Sequence, residues 1–179
     1  MPSSRVQLIG AGLLAIVSFL AVILHFGLAS VFAYPINKIN LVVLFVIIVL
    51  LITESGRTVW IGFTAYFFME LFSLAPFGAA LYSGTISALI SFWLYKTVFA
   101  NRTILTTVAL TAIFILIYRS QYSAIIYAVG RFSGDIETTF FSQFASYGWE
   151  LAITAVAAGL AHFFLKLFIP KLNTTKLRK

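Results

Sequence analysis

Apolar residues run almost unbroken from Val6 to Ala33, and they resume over residues 36–53, 58–74, 76–95, 103–129 and 144–169, with polar positions confined to the short breaks between. A bilayer's hydrocarbon core takes roughly 20 residues of α-helix at ~1.5 Å rise per residue, so runs of this length predict six membrane-crossing helices over those ranges. Tyr34-Pro35 separates the first from the second, and Glu54-Ser55-Gly56-Arg57 the second from the third. Pro76 suits the first turn of the fourth, where its missing N–H leaves nothing unpaired. Gly130 to Gln143, with Arg131, Gly134, Asp135 and Glu137, is the one loop of any length. A four-crossing arrangement, with 36–53 or 103–129 re-entrant, is the alternative. The first run is too long for the core of a signal peptide and lacks a cleavage site, so it is expected to be retained.

Composition agrees with the pattern. Of the 179 residues 61% are hydrophobic and 9% charged, against roughly 45–50% and 25% in soluble domains. The expected fold is therefore all-α, a six-transmembrane-helix bundle forming one membrane domain, with a basic cytoplasmic tail over 170–179. A formal charge of +7 in a soluble chain would suggest nucleic acid. Here Lys166, Lys171, Lys176, Arg178 and Lys179 crowd the C-terminus, which instead points to a tail beside anionic membrane lipid. Six crossings put Arg5, Arg57, Lys96, Arg102 and that tail on one side and leave Lys38 and Arg131 on the other, so both termini are expected in the cytoplasm. The absence of cysteine excludes disulfides and thiolate sites.

Three ionisable residues fall inside the apolar runs: Glu70, Arg119 and Glu150. Charges at membrane depth face the bundle and pair, and helical rise places all three in the outer half, so the pattern predicts a Glu70–Arg119–Glu150 cluster tying helices 3, 5 and 6. Such a cluster serves either as helix glue or as a polar docking pocket. His25 and His162 sit near opposite ends of their helices with no zinc-binding spacing, and no nucleophile–base arrangement or phosphate loop accompanies them, so neither a metal, a cofactor nor catalysis is expected. In helix 4, Ala79, Ser83, Ser87 and Ser91 recur every fourth position beside Ala80, Gly84 and Ala88. Small residues let membrane helices approach closely, so this face is expected to be buried, either within the bundle or against a partner's helix. Weaker small-x-x-x-small pairs occur in helix 6 (Ala155 and Gly159, Ala157 and Ala161) and helix 1 (Ala11 and Ala15).

The stretch Glu70-Leu-Phe-Ser-Leu-Ala-Pro76-Phe-Gly78 resembles the rod-shape-determining MreD family of bacterial inner-membrane proteins, in which an acid late in one transmembrane helix is followed six residues on by Pro-x-Gly opening the next. That family carries aspartate where this chain has Glu70. Size, six spans, cytoplasmic termini and a basic tail extend the resemblance. It implies a non-enzymatic scaffold of the cell-elongation machinery in the cytoplasmic membrane, with an MreC-like single-span protein, the peptidoglycan synthase and the cytoskeletal filament as partners and no nucleic acid. The competing reading is the substrate-binding membrane component of an energy-coupling-factor transporter, also a six-helix bundle of this size. There an Ala-x-x-x-Ala pair in helix 1, as Ala11 and Ala15 would be, packs on the coupling subunit. A carrier of vitamin-like solutes needs a roomy outer cavity with hydrogen-bonding groups, whereas a scaffold fills that space with side chains. The nineteen Phe of this chain lean toward filling.

Overall fold

The computed structural model describes the backbone of residues 4–99, 103–133 and 140–168, and the side chains within 12–99, 103–131 and 146–168. Among the described residues the chain is helical throughout, with no strand: α1 (Ser4–Val31), a 3-10 turn (Ile36–Lys38), α2 (Leu41–Thr53), α3 (Arg57–Leu71), α4 (Ala79–Thr97), α5 (Ile104–Ser133) and α6 (Phe140–Phe168). Three stretches among the described residues are long and apolar enough to cross a membrane: Gly12–Val31 in α1, Ile104–Arg131 in α5 and Ser146–Phe168 in α6. Asp135, Glu137, Arg102 and the tail 170–179, all assigned to a side of the membrane above, lie outside the described residues.

Several expected boundaries move, each for a local reason. The second helix starts at Leu41 rather than 36, because the Asn40 side chain caps it, Oδ1 accepting from the Val43 amide at 3.1 Å. Its 13 residues reach only ~20 Å. The fourth helix starts at Ala79 rather than 76. Pro76 lies in the turn ahead of it, where the Ala79 amide donates to the Pro76 carbonyl at 3.2 Å. Gly78, at φ 97° and ψ −17°, fits the third position of a type II turn, a left-handed conformation that glycine adopts without steric cost. The expected 130–143 loop shrinks from both ends, since α5 continues to Ser133 and α6 begins at Phe140.

α2 is the centre of the bundle. It touches α1, α3, α5 and α6, and Val42, Val43, Val46, Ile47, Leu50 and Leu51 are all essentially buried. A helix apolar on every side belongs in a protein core or in the bilayer, and the burial of these six residues puts one side of α2 in the core. α4 packs on α3 and α5, and α5 on α6. The α3–α4 seam depends on small residues. A β-carbon at Gly84 would meet the Tyr66 ring at 2.1–2.4 Å, and one at Gly62 would meet Ala88 Cβ at 2.8 Å. Ala79, Ala80, Ser83, Gly84, Ser87, Ala88 and Ser91 are all buried within this one chain. The small-residue face of helix 4 is therefore an internal packing face, and its alternative assignment to a partner's helix is withdrawn. In helix 6 Gly159 likewise lies over Val108 and Ile104 of α5.

Candidate functional site

The N-terminus of α2 brings a polar cluster together. Asn40 stands at the junction of the 3-10 turn and α2, and its backbone amide donates to Thr154 Oγ1 on α6 at 2.9 Å. Its side-chain Nδ2 donates to Glu150 Oε1, also on α6, at 2.7 Å. Glu150 Oε2 in turn receives two donors from Arg119 on α5, Nε at 2.6 Å and Nη2 at 2.5 Å. A carboxylate offers about four acceptor positions, and Glu150, 3% exposed, thus has most of them filled by charge-assisted or amide donors. The Arg119 guanidinium carbon also lies 4.7 Å from the centre of the Tyr147 ring, 5.4 Å from Tyr118 and 5.9 Å from Tyr122. Aromatic faces carry negative potential, so they complete the stabilisation of a cation held away from water.

Glu70 is not part of this cluster. Its Oε2 accepts from the Leu81 amide at 2.7 Å, inside the first turn of α4, and its Oε1 has no hydrogen-bond partner among the described residues. The first amides of a helix lack intrahelical partners and carry the positive end of its dipole, so they compensate the buried acid without a cation. The expected three-residue cluster accordingly divides into an Arg119–Glu150 ion pair between α5 and α6 and a separate Glu70 cap between α3 and α4. The division follows from helix ends: Glu70 is the penultimate residue of α3 and faces the start of its sequence neighbour, whereas Arg119 is midway along α5. Pro76 and Gly78 belong with Glu70, because they build the turn that places the Leu81 amide within its reach.

The histidines remain apart in the fold. His162 Nδ1 shares a hydrogen bond with Thr107 Oγ1 at 2.8 Å and ties α6 to α5, while His25 sits on α1 with its ring beside Phe26. At the other end of α2, Tyr95 at the end of α4 donates to Glu54 Oε1 at 2.6 Å.

Asn40 and Thr154 went unmarked in the sequence, although each carries a local signal. Asparagine directly ahead of an apolar run is a helix-capping residue. Thr154 follows Glu150 by one helical turn and so shares its face. The tyrosines around Arg119 carry no such signal, since aromatic residues are spread along the whole chain. Comparison with protein families, with curated proteins and with solved structures returned no match for this chain.

Proposed function

We propose that the chain is a non-enzymatic membrane scaffold of the MreD type, crossing the cytoplasmic membrane six times and binding a single-span, MreC-like partner of the cell-elongation machinery. The observation that carries the choice of scaffold over carrier is the filled interior. Tyr66, Phe114 and Tyr118 are at most 2% exposed, and their rings lie against one another, Tyr66 stacked on Phe114 at 6.1 Å and tilted on Tyr118 at 5.2 Å between centres. These rings fill the space between α3 and α5 that an internal solute chamber would otherwise occupy. Aromatic side chains packed in contact supply rigidity instead.

The outward faces of the shorter helices support six crossings. α3 exposes Trp60, Phe63, Phe67 and Leu71, and α4 exposes Tyr82, Leu89 and Trp93, surfaces suited to hydrocarbon rather than water. The resemblance in Glu70, Pro76 and Gly78 supports the family reading through a physical role, because the three residues together build and cap one interhelical turn. The partner-binding surface is to be sought away from the buried face of α4.

Co-expression with the MreC-like protein of the same organism and affinity purification in mild detergent tests the reading. A stoichiometric complex is the expected result. Failure to form one, together with a rise in thermal stability on adding a vitamin-like solute at low micromolar concentration, would replace the scaffold by the carrier, since a ligand that binds only the folded state stabilises it by ~2.7 kcal/mol at a hundredfold excess over Kd.

A further inference from the structure

A groove with a cavity volume of about 550 Å³ opens between α5 and α6 beside Arg119. Its lining is graded along its length. One end is aliphatic, with Ile115, Leu116 and Leu151, and the other carries Arg119, Ser120, Ser123 and Tyr127. From Ile115 to Tyr127 the groove follows α5 for ~18 Å. Leu116, Ser120, Ala124 and Gly148 are exposed along it, so it opens sideways rather than into the bundle.

Arg119 faces two ways. Its Nε and Nη2 are committed to Glu150, whereas Nη1 has no partner among the described residues, and the side chain is 26% exposed where it borders the groove. Nη1, unlike Nε and Nη2, is thus left to an acceptor from outside the chain. A guanidinium edge binds phosphate oxygens through short, charge-assisted hydrogen bonds. Polar group at one end and aliphatic slot at the other is the profile of an amphiphile.

We propose that this groove is a binding site for one phospholipid molecule, an acyl chain lying against Leu116 and Leu151 and the phosphate accepting from Arg119 Nη1. The site requires only that α5 and α6 cross the membrane, and holds for a scaffold or a carrier alike.

The test is native mass spectrometry of delipidated, detergent-solubilised protein titrated with dioleoyl phosphatidylglycerol, dioleoylglycerol or inorganic phosphate. The expected result is saturable retention of one phosphatidylglycerol per chain, at least tenfold tighter than dioleoylglycerol, with no retention of phosphate alone. Gly148 borders the groove and a β-carbon there would meet nothing within 4 Å, so Gly148→Leu fills the slot without a clash. It should lower occupancy at least tenfold and leave the melting temperature of the lipid-free protein unchanged. Arg119→Lys keeps a cation for Glu150 but removes the second edge, and should abolish the preference for phosphatidylglycerol over dioleoylglycerol. Unsaturable binding, or occupancy indifferent to Gly148→Leu, overturns the proposal. So does a dimer that Gly148→Leu converts to monomer, since the groove would then be an interface between copies. Lipid retention is read on the isolated chain, so these outcomes are independent of whether a partner co-purifies.

Discussion

Arg119 and Glu150 illustrate how unequal the two halves of a buried pair become once their surroundings differ. Removing the cation strands a carboxylate that is almost wholly buried, and breaking a buried pair in this way costs ~3–5 kcal/mol. Arg119→Leu should therefore lower the thermal stability of the solubilised protein sharply, and adding Glu150→Leu should recover a large part of the loss. Additive losses in the double variant would show that the two side chains do not act as a pair. Asn40→Leu removes both the α2 cap and the Nδ2 donor to Glu150, and should cost ~1–3 kcal/mol. Glu70→Gln should cost less than Arg119→Leu, ~1–3 kcal/mol, because an amide oxygen still accepts from Leu81 while the attraction to the helix dipole is lost and an amide NH2 takes the place of the unpartnered Oε1. Thermal melts of the three variants in one detergent give the ranking, and a Glu70→Gln loss as large as that of Arg119→Leu would restore the single cluster that the fold separates.

At the scale of the helix pair, the α3–α4 seam and its turn depend on glycine for two different reasons. At Gly84 the reason is space. Even Gly84→Ala places a methyl carbon within 2.4 Å of the Tyr66 ring, whose own face rests on Tyr118, so the ring has nowhere to move. Gly84→Leu should abolish a monodisperse peak in size-exclusion chromatography, whereas Gly12→Leu on α1, with nothing within 4 Å, should leave it intact. At Gly78 the reason is backbone conformation: φ of 97° costs a residue with a β-carbon ~1–2 kcal/mol, so Gly78→Ala should lower the melting temperature while the bundle still assembles. Survival of Gly84→Leu as a folded monomer would move the face of α4 back to the surface.

For the molecule as a whole, the short central α2 and the long α5 and α6 set the architecture. Asn40 aligns the start of α2 with Glu150 on α6 and, through it, with Arg119, so α5 runs on for ~20 Å beyond the level at which α2 begins. Under the proposed topology that extension lies on the extracytoplasmic side, and the ion pair sits near that edge of the hydrocarbon. Single cysteines introduced as Ser133→Cys, at the end of α5, and Thr174→Cys, in the basic tail, should then differ in intact cells. An impermeant maleimide should label the first and not the second. Labelling of position 174 from outside would invert the orientation and, with it, the side on which the phospholipid groove opens.

An all-helical chain with apolar segments of spanning length is legible in the residues themselves, because hydrophobic run length against helical rise is a local property that no tertiary contact is needed to define. So are the presence of charges at Glu70, Arg119 and Glu150 within those runs, and the small-residue row of helix 4 from Ala79 to Ser91. Pairing is another matter. Which acid takes Arg119 depends on the order in which helices stand side by side, and periodicity says only which face of a helix a residue occupies, never which helix it meets. Tertiary structure alone placed α2 at the centre, so that a single asparagine at its cap could reach α6. It also assigned Glu70 to the Leu81 amide of α4 and turned the face of α4 inward, because a residue's partners are set by the helices that the packing places beside it.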